Sequence, residues 1–240
     1  MGDPVIVIGA TGAIGGVLAR RLHAAGRSLH LIGRDGARLA ALAGELGVGS
    51  ATADAMDADG LAAAVRAAGD RVSGLAYCVG SIVMKPLARA SEADMIEAFR
   101  LNAIGAALAV AAAQDALRAA GGSVVLFSTI AVRAGFANHA VIAMAKGAVE
   151  ALTVSLAAEL APQVRVNAIA PSLTRSGIAE PMTGNAALAK AIAGQHPIPR
   201  LGEPDDSAAM AAFLLSDDAG WITGQVLAVD GGRSTVRTKG

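Results

Sequence analysis

The stretch VIVIGATGAIGG, residues Val5–Gly16, decides the fold. Its first four residues are β-branched and apolar, which is typical of a buried strand, and helix-forming residues continue after it. Glycines recur between the two, so the backbone of the turn can approach a pyrophosphate, and the helix N-terminus offers it free N–H groups. In this context the pattern predicts a dinucleotide site, although a tight turn that only packs a helix on a sheet has the same pattern. The predicted contacts are Gly9, Thr11, Gly12, Ile14 and Gly15.

Short apolar runs alternate with helical stretches along the rest of the chain. The predicted strands are Val5–Ile8, Leu29–Ile32, Gly74–Val79, Ser123–Phe127, Val164–Ile169 and Gln225–Val229, with a weaker one near Ser50–Ala53. The predicted helices are Ala13–Ala25, Ala37–Leu46, Leu61–Ala67, Glu92–Ala119, Val141–Ala161 and Ser207–Leu215. Continuous apolar strands separated by helices indicate a parallel sheet covered on both faces. We therefore expect one α/β domain over residues 1–240, a Rossmann-type three-layer sandwich.

Local signals mark two helix starts and one long connection. Ser91 and Asp94 form a capping-box pattern, and Pro204 stands where a proline begins a helix. The irregular stretch Pro171–Pro204 contains five prolines, counting both ends. So long a connection in a compact domain is often a lid or a binding loop.

Composition excludes several classes of function. The chain has 20 basic and 20 acidic residues, no basic block and 2% aromatic residues, so we expect no nucleic-acid surface. Uncharged runs such as Val72–Met84 and Ala119–Val132 are shorter than the roughly 20 residues that span a bilayer. Val5–Ala19 lacks the basic leader of a signal sequence, and a single cysteine, Cys78, fits a reducing compartment. We expect a cytoplasmic protein that binds a small molecule and contains no metal site.

The end of the second predicted strand bears on the cofactor. Sites for an unphosphorylated ribose usually place an acidic residue there, whereas this chain has Gly33 followed by Arg34. An arginine can bind the 2′-phosphate of NADP. NADP(H) is therefore favoured, while Asp35 keeps NAD(H) possible and a solvated Arg34 is the alternative.

Five further stretches carry a resemblance over essentially the whole chain. They are ATADAMD (51–57), LNAIGAALAV (101–110), VVLFSTIAV (124–132), AMAKGAVEALTVSLAAELAPQVRVNAIAPS (143–172) and IPRLGEPDDSAAMAAFLLSDDAGWITGQVLAVDGG (198–232). Together with the glycine turn they resemble the short-chain dehydrogenase/reductase family. The resemblance implies a doubly wound seven-stranded sheet with NAD(P) across the carboxyl ends of its strands. It also implies a homotetramer or homodimer, with the helix of Lys146 and the preceding helix at an interface.

The resemblance also assigns cofactor contacts. Asp54 is expected beside the adenine, and Lys146 beside the nicotinamide ribose. The family's NNAG turn is YCVG here, and its PG turn is Pro171-Ser172. These turns contribute the expected contacts Cys78, Gly80, Pro171 and Ser172.

The stretch HAVIAMAKG, residues 139–147, departs from the family at its most important position. The family has a tyrosine four residues before the lysine, where this chain has Ile142. That tyrosine protonates the substrate oxygen, the lysine lowers its pKa, a serine orients the carbonyl, and an asparagine holds a water. Isoleucine cannot donate a proton. The retained catalytic candidates are Lys146, Asn102 and either Ser128 or Thr129.

Another side chain could supply the missing proton. His139 lies seven residues before Lys146, where a divergent enoyl-reductase branch of the family has its tyrosine. Histidine transfers protons near neutral pH, although a loop histidine at a helix entrance is the alternative. Tyr77, the single tyrosine, is expected to pack or line the site, and Cys78 to be a small buried residue.

Three functions remain open. The first is an NADP(H)-dependent oxidoreductase that transfers hydride to or from a small or medium carbonyl, alcohol or enone, with an atypical proton donor. The second is a catalytically impaired cofactor-binding pseudoenzyme that acts as a sensor or partner subunit. The third is a structural homo-oligomer without nucleotide. The surviving cofactor residues favour the first.

Overall fold

Seven parallel strands form one sheet in the computed structural model, which describes residues 2–237. The strands are β1 (Val5–Ile8), β2 (Leu29–Gly33), β3 (Gly49–Thr52), β4 (Gly74–Tyr77), β5 (Ser123–Phe127), β6 (Arg165–Pro171) and β7 (Val226–Val229). Their order in the sheet is β3-β2-β1-β4-β5-β6-β7. β1, β2, β4 and β5 are buried along their whole length, which explains their continuous apolar sequences.

Helices connect successive strands and cover both faces of the sheet. They are α1 (Ala13–Ala24), α2 (Gly36–Leu46), α3 (Ala58–Arg66), α4 (Glu92–Phe99), α5 (Gly105–Ala120), α6 (Ala131–Ala134), α7 (Ala140–Leu160), α8 (Glu180–Thr183), α9 (Ala186–Ala193) and α10 (Pro204–Leu214). Three short 3₁₀ turns lie at Leu87–Arg89, Gly177–Ala179 and Asp217–Ala219.

Two apolar cores lie on opposite sides of the sheet. The first packs α1, α2 and α10 on one face, and the second packs α3, α5 and α7 on the other. This arrangement confirms the predicted doubly wound, three-layer fold. Both predicted helix starts are also present, because Ser91 and Asp94 form the capping box of α4 and Pro204 is the first residue of α10.

The strand order reverses between β1 and β4, which are neighbours. The chain leaves β1 toward β2 on one side and leaves β4 toward β5 on the other. Adjacent connections therefore diverge and leave a crevice outside the carboxyl ends of these two strands. Gly9 and Cys78 border it, and the Cys78 N–H donates to the carbonyl of Ile8 at 2.8 Å.

The fourth predicted helix, Glu92–Ala119, is wrong as a single regular helix. A π-helical turn at Arg100–Ile104 separates α4 from α5. Inside the turn, the Asn102 side-chain amide donates to the carbonyl of Ala98 at 2.8 Å, so a side chain competes there with the regular backbone ladder.

Other differences are smaller. The predicted strand Gly74–Val79 ends at Tyr77, and the predicted strand Val164–Ile169 instead spans Arg165–Pro171. The weak third strand is present at Gly49–Thr52. The predicted strands Val5–Ile8 and Ser123–Phe127 are exact, and the remaining boundaries differ by at most three residues, as is usual where helix ends fray.

The sequence suggested that the stretch Pro171–Pro204 is irregular, and this expectation is wrong for part of it. The 3₁₀ turn Gly177–Ala179, α8 and α9 lie within it. These elements are short, and helices of that length leave little periodicity to detect in a sequence. Together they form a helical cover, and one residue of each lines the same cavity as Pro171 at the end of β6.

Two apolar helical segments pass a test for membrane spans by length and composition. They are Glu92–Ala120, which includes α4 and α5, and Ala140–Leu160, which is α7. Residues of both belong to the apolar core on one face of the sheet, and that role explains their composition. In contrast to these core residues, the side chain of Trp221, which precedes the edge strand β7, is 100% exposed to solvent.

Candidate active site

The glycine turn after β1 has the geometry that a pyrophosphate needs. Gly9 has a φ of +82°, which favours glycine, and a β-carbon added to Gly15 would overlap the carbonyl oxygen of Gly9. Gly12 is the N-cap of α1, and no side chain caps that end of the helix. The first N–H groups of α1 are therefore available to an anion, and the residues present fit a dinucleotide.

The end of β2 places two arginines near this turn. Arg34 is exposed, and Arg38, one helical turn later, donates from Nη2 to the carbonyl of Thr11 at 2.9 Å. Asp35 is the N-cap of α2, and its carboxylate accepts from the Arg38 N–H at 3.0 Å. Arg38 was missed in the sequence, although its spacing of four residues from Arg34 on a helix start could have indicated it.

The predicted adenine contact lies two residues beyond β3. Asp54 is exposed, and its Oδ1 accepts from the backbone N–H of Met56 at 2.9 Å. Tyr77 does not line the active-site cavity described below. Its hydroxyl donates to the carbonyl of Leu101 at 2.7 Å, and burial, assisted by the charge of Asp54, raises its pKa above the ordinary value. The single tyrosine therefore has a packing role.

A cavity of about 290 Å³ opens beside the crevice. The predicted cofactor contacts that line it are Ile14, Cys78, Gly80, Pro171 and Ser172. The predicted catalytic candidates that line it are Ser128, Thr129, His139 and Lys146. The other predicted residues lie outside its lining: Gly9, Thr11, Gly12, Gly15, Arg34, Asp54 and Asn102. Burial raises the pKa of the Cys78 thiol to about 12, so this cysteine is a poor nucleophile.

Lys146 is the buried cation of the cavity. Its side chain lies on α7, is 6% exposed, and donates from Nζ to the carbonyl of Phe127 at 2.7 Å. Burial lowers its pKa to about 8. A β-carbon added to Gly80 would lie 3.1 Å from this Nζ and 2.9 Å from Oδ1 of Asn102. The two predicted residues are thus brought together behind the turn that follows β4.

Asn102 joins two segments of the chain. Its Oδ1 accepts from the Ser81 N–H at 3.3 Å, and its Nδ2 donates to the Ser81 hydroxyl at 3.1 Å and to the carbonyl of Ala98. These bonds occupy both ends of the amide. They account for its burial and fix the loop after β4 to the π-helical turn.

The two hydroxyl candidates differ in their partners. Ser128 is buried and donates to Oε1 of Glu150 at 2.9 Å, and the same carboxylate accepts from Nε of Arg133 at 3.0 Å. Thr129 is half-buried and its Oγ1 accepts from the Ala131 N–H at 3.3 Å, which leaves its own hydrogen free. Glu150 was missed in the sequence, although it stands one helical turn after Lys146.

His139 lies at the N-terminus of α7, one helical turn before Ile142, and both residues line the cavity. Its Nδ1 lies 2.7 Å from the carbonyl oxygen of Ala137. A carbonyl only accepts, so Nδ1 carries a hydrogen and Nε2 is left to bind or release a second proton. Ile142 is 4% exposed and offers the cavity only apolar surface.

Residues 9–234 match the family model described as "Enoyl-(Acyl carrier protein) reductase". The chain is a short-chain dehydrogenase/reductase. This short-chain dehydrogenase/reductase is 37% identical over 238 residues to galactitol 2-dehydrogenase (L-tagatose-forming) of Cereibacter sphaeroides, an alignment that covers 94% of this chain and 92% of the relative.

Solved structures agree with this assignment. A short-chain type dehydrogenase/reductase from Mycobacterium ulcerans superposes with a TM-score of 0.91 at 34% identity, covering 98% of this chain and 90% of that one. A gluconate 5-dehydrogenase from Burkholderia cenocepacia, in complex with NADP and tartrate, gives 0.92 at 25% identity, covering 98% and 96%. The protein is therefore an oxidoreductase of a family that binds NAD(P).

Proposed function

We propose that this chain is an NADP(H)-dependent oxidoreductase that transfers hydride to or from a small or medium carbonyl, alcohol or enone, with His139 as an atypical proton donor. One observation carries the proposal. The cavity brings Lys146, Thr129 and His139 together with Ile14 and Gly80 at the crevice between β1 and β4. Residues suited to hold a nicotinamide and residues suited to proton transfer therefore share one space.

The cofactor residues divide by the part they would hold. The turn from Gly9 to Gly15 would bind the pyrophosphate, Asp54 would lie beside the adenine, and Lys146 would bind the nicotinamide ribose. The remaining contacts would be Cys78, Gly80, Pro171 and Ser172. A bound nicotinamide supplies or accepts the hydride.

Electrostatics favours NADP over NAD. Arg34 and Arg38 place two cations at the end of β2, where the 2′-phosphate would lie. Asp35 already accepts a hydrogen bond at the start of α2, which gives it a structural use. The NADP bound by the Burkholderia cenocepacia relative supports the same choice.

Proton transfer would use the free nitrogen of His139. In the direction of reduction, the imidazolium gives its Nε2 proton to the developing oxyanion. The ring keeps its Nδ1 hydrogen, which it donates to the carbonyl of Ala137. The free hydroxyl hydrogen of Thr129 can orient the same oxygen. Lys146 adds a positive charge at the base of the cavity while it is protonated.

Calorimetric titration with NADPH and NADH tests the cofactor assignment. We expect NADPH to bind more tightly. The double change Arg34→Gln and Arg38→Gln should weaken NADPH by about 10- to 100-fold, since charge-assisted hydrogen bonds contribute about 1.5–3 kcal/mol. NADH should change little, and Arg66→Gln, an exposed arginine on α3, is the matched control. Equal affinities of the wild type for both nucleotides would contradict the preference.

Transfer of deuterium from labelled NADPH to a panel of carbonyl compounds tests catalysis. Deuterium in any alcohol product supports the oxidoreductase. The pseudoenzyme alternative rests on Ile142, because an apolar residue occupies the family's tyrosine position. It predicts tight NADPH binding with no transfer to any member of the panel.

We also propose that the protein is a cytoplasmic homotetramer or homodimer. Ile104 and Leu108 on the α4–α5 segment are exposed apolar residues one helical turn apart. On α7, exposed Met144 shares a helix face with Ala151 and Ser155, which are small and also exposed. Such flat apolar faces suit close packing of helices from a second copy.

A further inference from the structure

Arg233 forms part of the cavity wall near the C-terminal end of the described chain. Its guanidinium carbon lies 4.5 Å from the ring centroid of Phe136, which also lines the cavity. Nη2 donates to Oε1 of Gln195 at 2.5 Å, and Nη1 donates to the Ser172 hydroxyl at 3.4 Å. A guanidinium has five N–H groups. Only these two donate to another described residue, so three remain for a ligand.

A directed chain of hydrogen bonds supports this position. Nδ1 of His196 lies 2.9 Å from the carbonyl of Ile192 and therefore carries a hydrogen. Nε2 of the neutral ring can then accept from the Ser172 hydroxyl, at 2.8 Å. The Ser172 oxygen is left to accept from Arg233. Each donor has an acceptor in sequence, and the guanidinium is held rather than free to extend into water.

The charges around the cavity are unbalanced. Among residues 2–237, the charged side chains that line it are the cations Lys146 and Arg233, and no carboxylate does. Within the same range Arg233 forms no ion pair. Asp230 is the nearby acid that acts on its charge, but this carboxylate accepts from the N–H groups of Gly232 and Ser234. Burial lowers the pKa of Arg233 by more than the charge of Asp230 raises it.

Most of the remaining wall is apolar, and the hydroxyl groups of Ser128, Thr174 and Ser176 within it donate to protein acceptors. Ile82 and Met84 come from the loop after β4, and Ile178, Met182 and Ile192 come from the helical cover. These side chains suit a hydrocarbon body and offer no hydrogen bonds to a sugar. A ligand that matches these apolar side chains and the guanidinium of Arg233 has an apolar body and one anionic group.

We propose that the substrate is a carboxylic acid with an apolar body, and that Arg233 binds its carboxylate. The proposal rests on the proposed function for the reacting carbon, which would lie near His139 and Lys146. A planar guanidinium can pair with a carboxylate through two parallel N–H bonds. Arg233 thereby becomes the specificity-determining residue, and Ser172 and His196 become positioning residues.

The test compares acids with their uncharged amides. Hexanoate and hexanamide, and benzoate and benzamide, are titrated into the wild-type protein by calorimetry, with and without NADPH. We expect at least one acid to bind at least about tenfold more tightly than its amide, because one charge-assisted hydrogen bond changes an affinity by about that factor. Because the acids are not turned over and are also measured without cofactor, loss of NADPH binding or of hydride transfer is recorded separately from loss of acid binding.

Two variants assign the preference to one side chain. Arg233→Gln should abolish the acid preference, whereas Arg175→Gln should keep it, since exposed Arg175 pairs with Glu203 outside the cavity lining. Arg233→Lys keeps the charge and should retain part of the preference even if the glutamine variant does not fold. Equal binding of acids and amides by the wild type, no binding of any acid, or an unchanged ratio in Arg233→Gln would each overturn the proposal.

Discussion

At the residue scale, the proposed role of His139 as proton donor makes it the side chain to test. We expect His139→Gln to lower kcat by about 10²–10⁴, the usual contribution of one general acid. NADPH affinity should stay within about twofold, because the proposed role of His139 is in proton transfer and not in binding the cofactor. The measurement is steady-state turnover across pH, beside calorimetric NADPH binding. His23→Gln on the exposed side of α1 is the matched control.

Ile142→Tyr provides the complementary test. Ile142 lines the cavity one helical turn before Lys146, so a tyrosine can extend into open space near that amine. In the His139→Gln background it should raise kcat at least about tenfold, because a general acid is restored. If His139→Gln alone leaves turnover and its pH profile unchanged, His139 is not the proton donor.

Lys146 should make cofactor binding depend on pH. Its pKa is lowered to about 8, so the amine loses its proton as the pH rises through about 8. NADPH affinity should then fall by up to about tenfold per pH unit, because a single proton is linked to binding. Calorimetric titration with NADPH between about pH 6.5 and 9.5, a range that brackets the lowered pKa of Lys146, measures this change in affinity. Lys146→Met should bind NADPH weakly at every pH in the range.

Stability should change in the opposite direction, which provides the control. Above about pH 8 the folded amine is neutral, whereas the unfolded amine keeps its proton up to the ordinary value of 10.5. The unfolded chain thus binds more protons in this window, and the Lys146 contribution to the free energy of unfolding rises by at most about 1.4 kcal/mol per pH unit. A parallel loss of affinity and of stability would point to general unfolding instead.

Individual site residues were predictable only where a motif or spacing marks them. The glycine turn and Lys146 stand in local patterns, and the structure has the turn between β1 and α1 and Lys146 on α7. Arg233 belongs to no such pattern, because the fold alone brings it to Ser172, 61 residues away along the chain. Ser128 and Thr129 were both open in the sequence, and their partners, Glu150 and the Ala131 N–H, are seen only in three dimensions.

At the element scale, the turn between β1 and α1 should tolerate no side chain at its third glycine. Gly15→Ala should weaken NADPH at least about tenfold and cost about 1–3 kcal/mol of stability, since the new methyl group overlaps the carbonyl of Gly9. Gly44→Ala, inside α2 with nothing near the added carbon, should instead stabilise by about 0.5–1 kcal/mol and leave binding unchanged. Calorimetry and urea unfolding measure both variants. Unchanged NADPH binding by Gly15→Ala would contradict the pyrophosphate assignment.

Hydrophobic periodicity predicted the types of the long helices and strands. It did not predict the π-helical turn or the short helices inside Pro171–Pro204. The π-helical turn contains Asn102, whose amide binds Ala98 four residues earlier and Ser81 21 residues earlier, and no local pattern encodes the second contact. The helices inside Pro171–Pro204 are short, and the prolines around them suggested an irregular loop. The long β–α alternation was therefore predictable, whereas short helices among prolines and features set by distant contacts were not.

At the scale of the whole molecule, the exposed face of α7 should control assembly. Ala151→Arg introduces a long charged side chain at the centre of the face that Met144 and Ser155 share, and we expect it to reduce the wild-type oligomer to smaller species. Ala41→Arg, on the exposed side of α2, should leave assembly unchanged. Sedimentation velocity distinguishes the species. A monomeric wild type would contradict the proposed oligomer.

The fully exposed Trp221 has a practical consequence for spectroscopy. It is the single tryptophan of the chain, it lies beside the edge strand β7, and it is absent from the described lining of the cavity. Selective excitation of its indole therefore reports the surroundings of one point on the surface. An isolated protomer should emit as a hydrated indole, and a copy packed along β7 should shift that emission to shorter wavelength. The protein therefore carries one intrinsic optical probe at a surface point outside the described lining of the cavity.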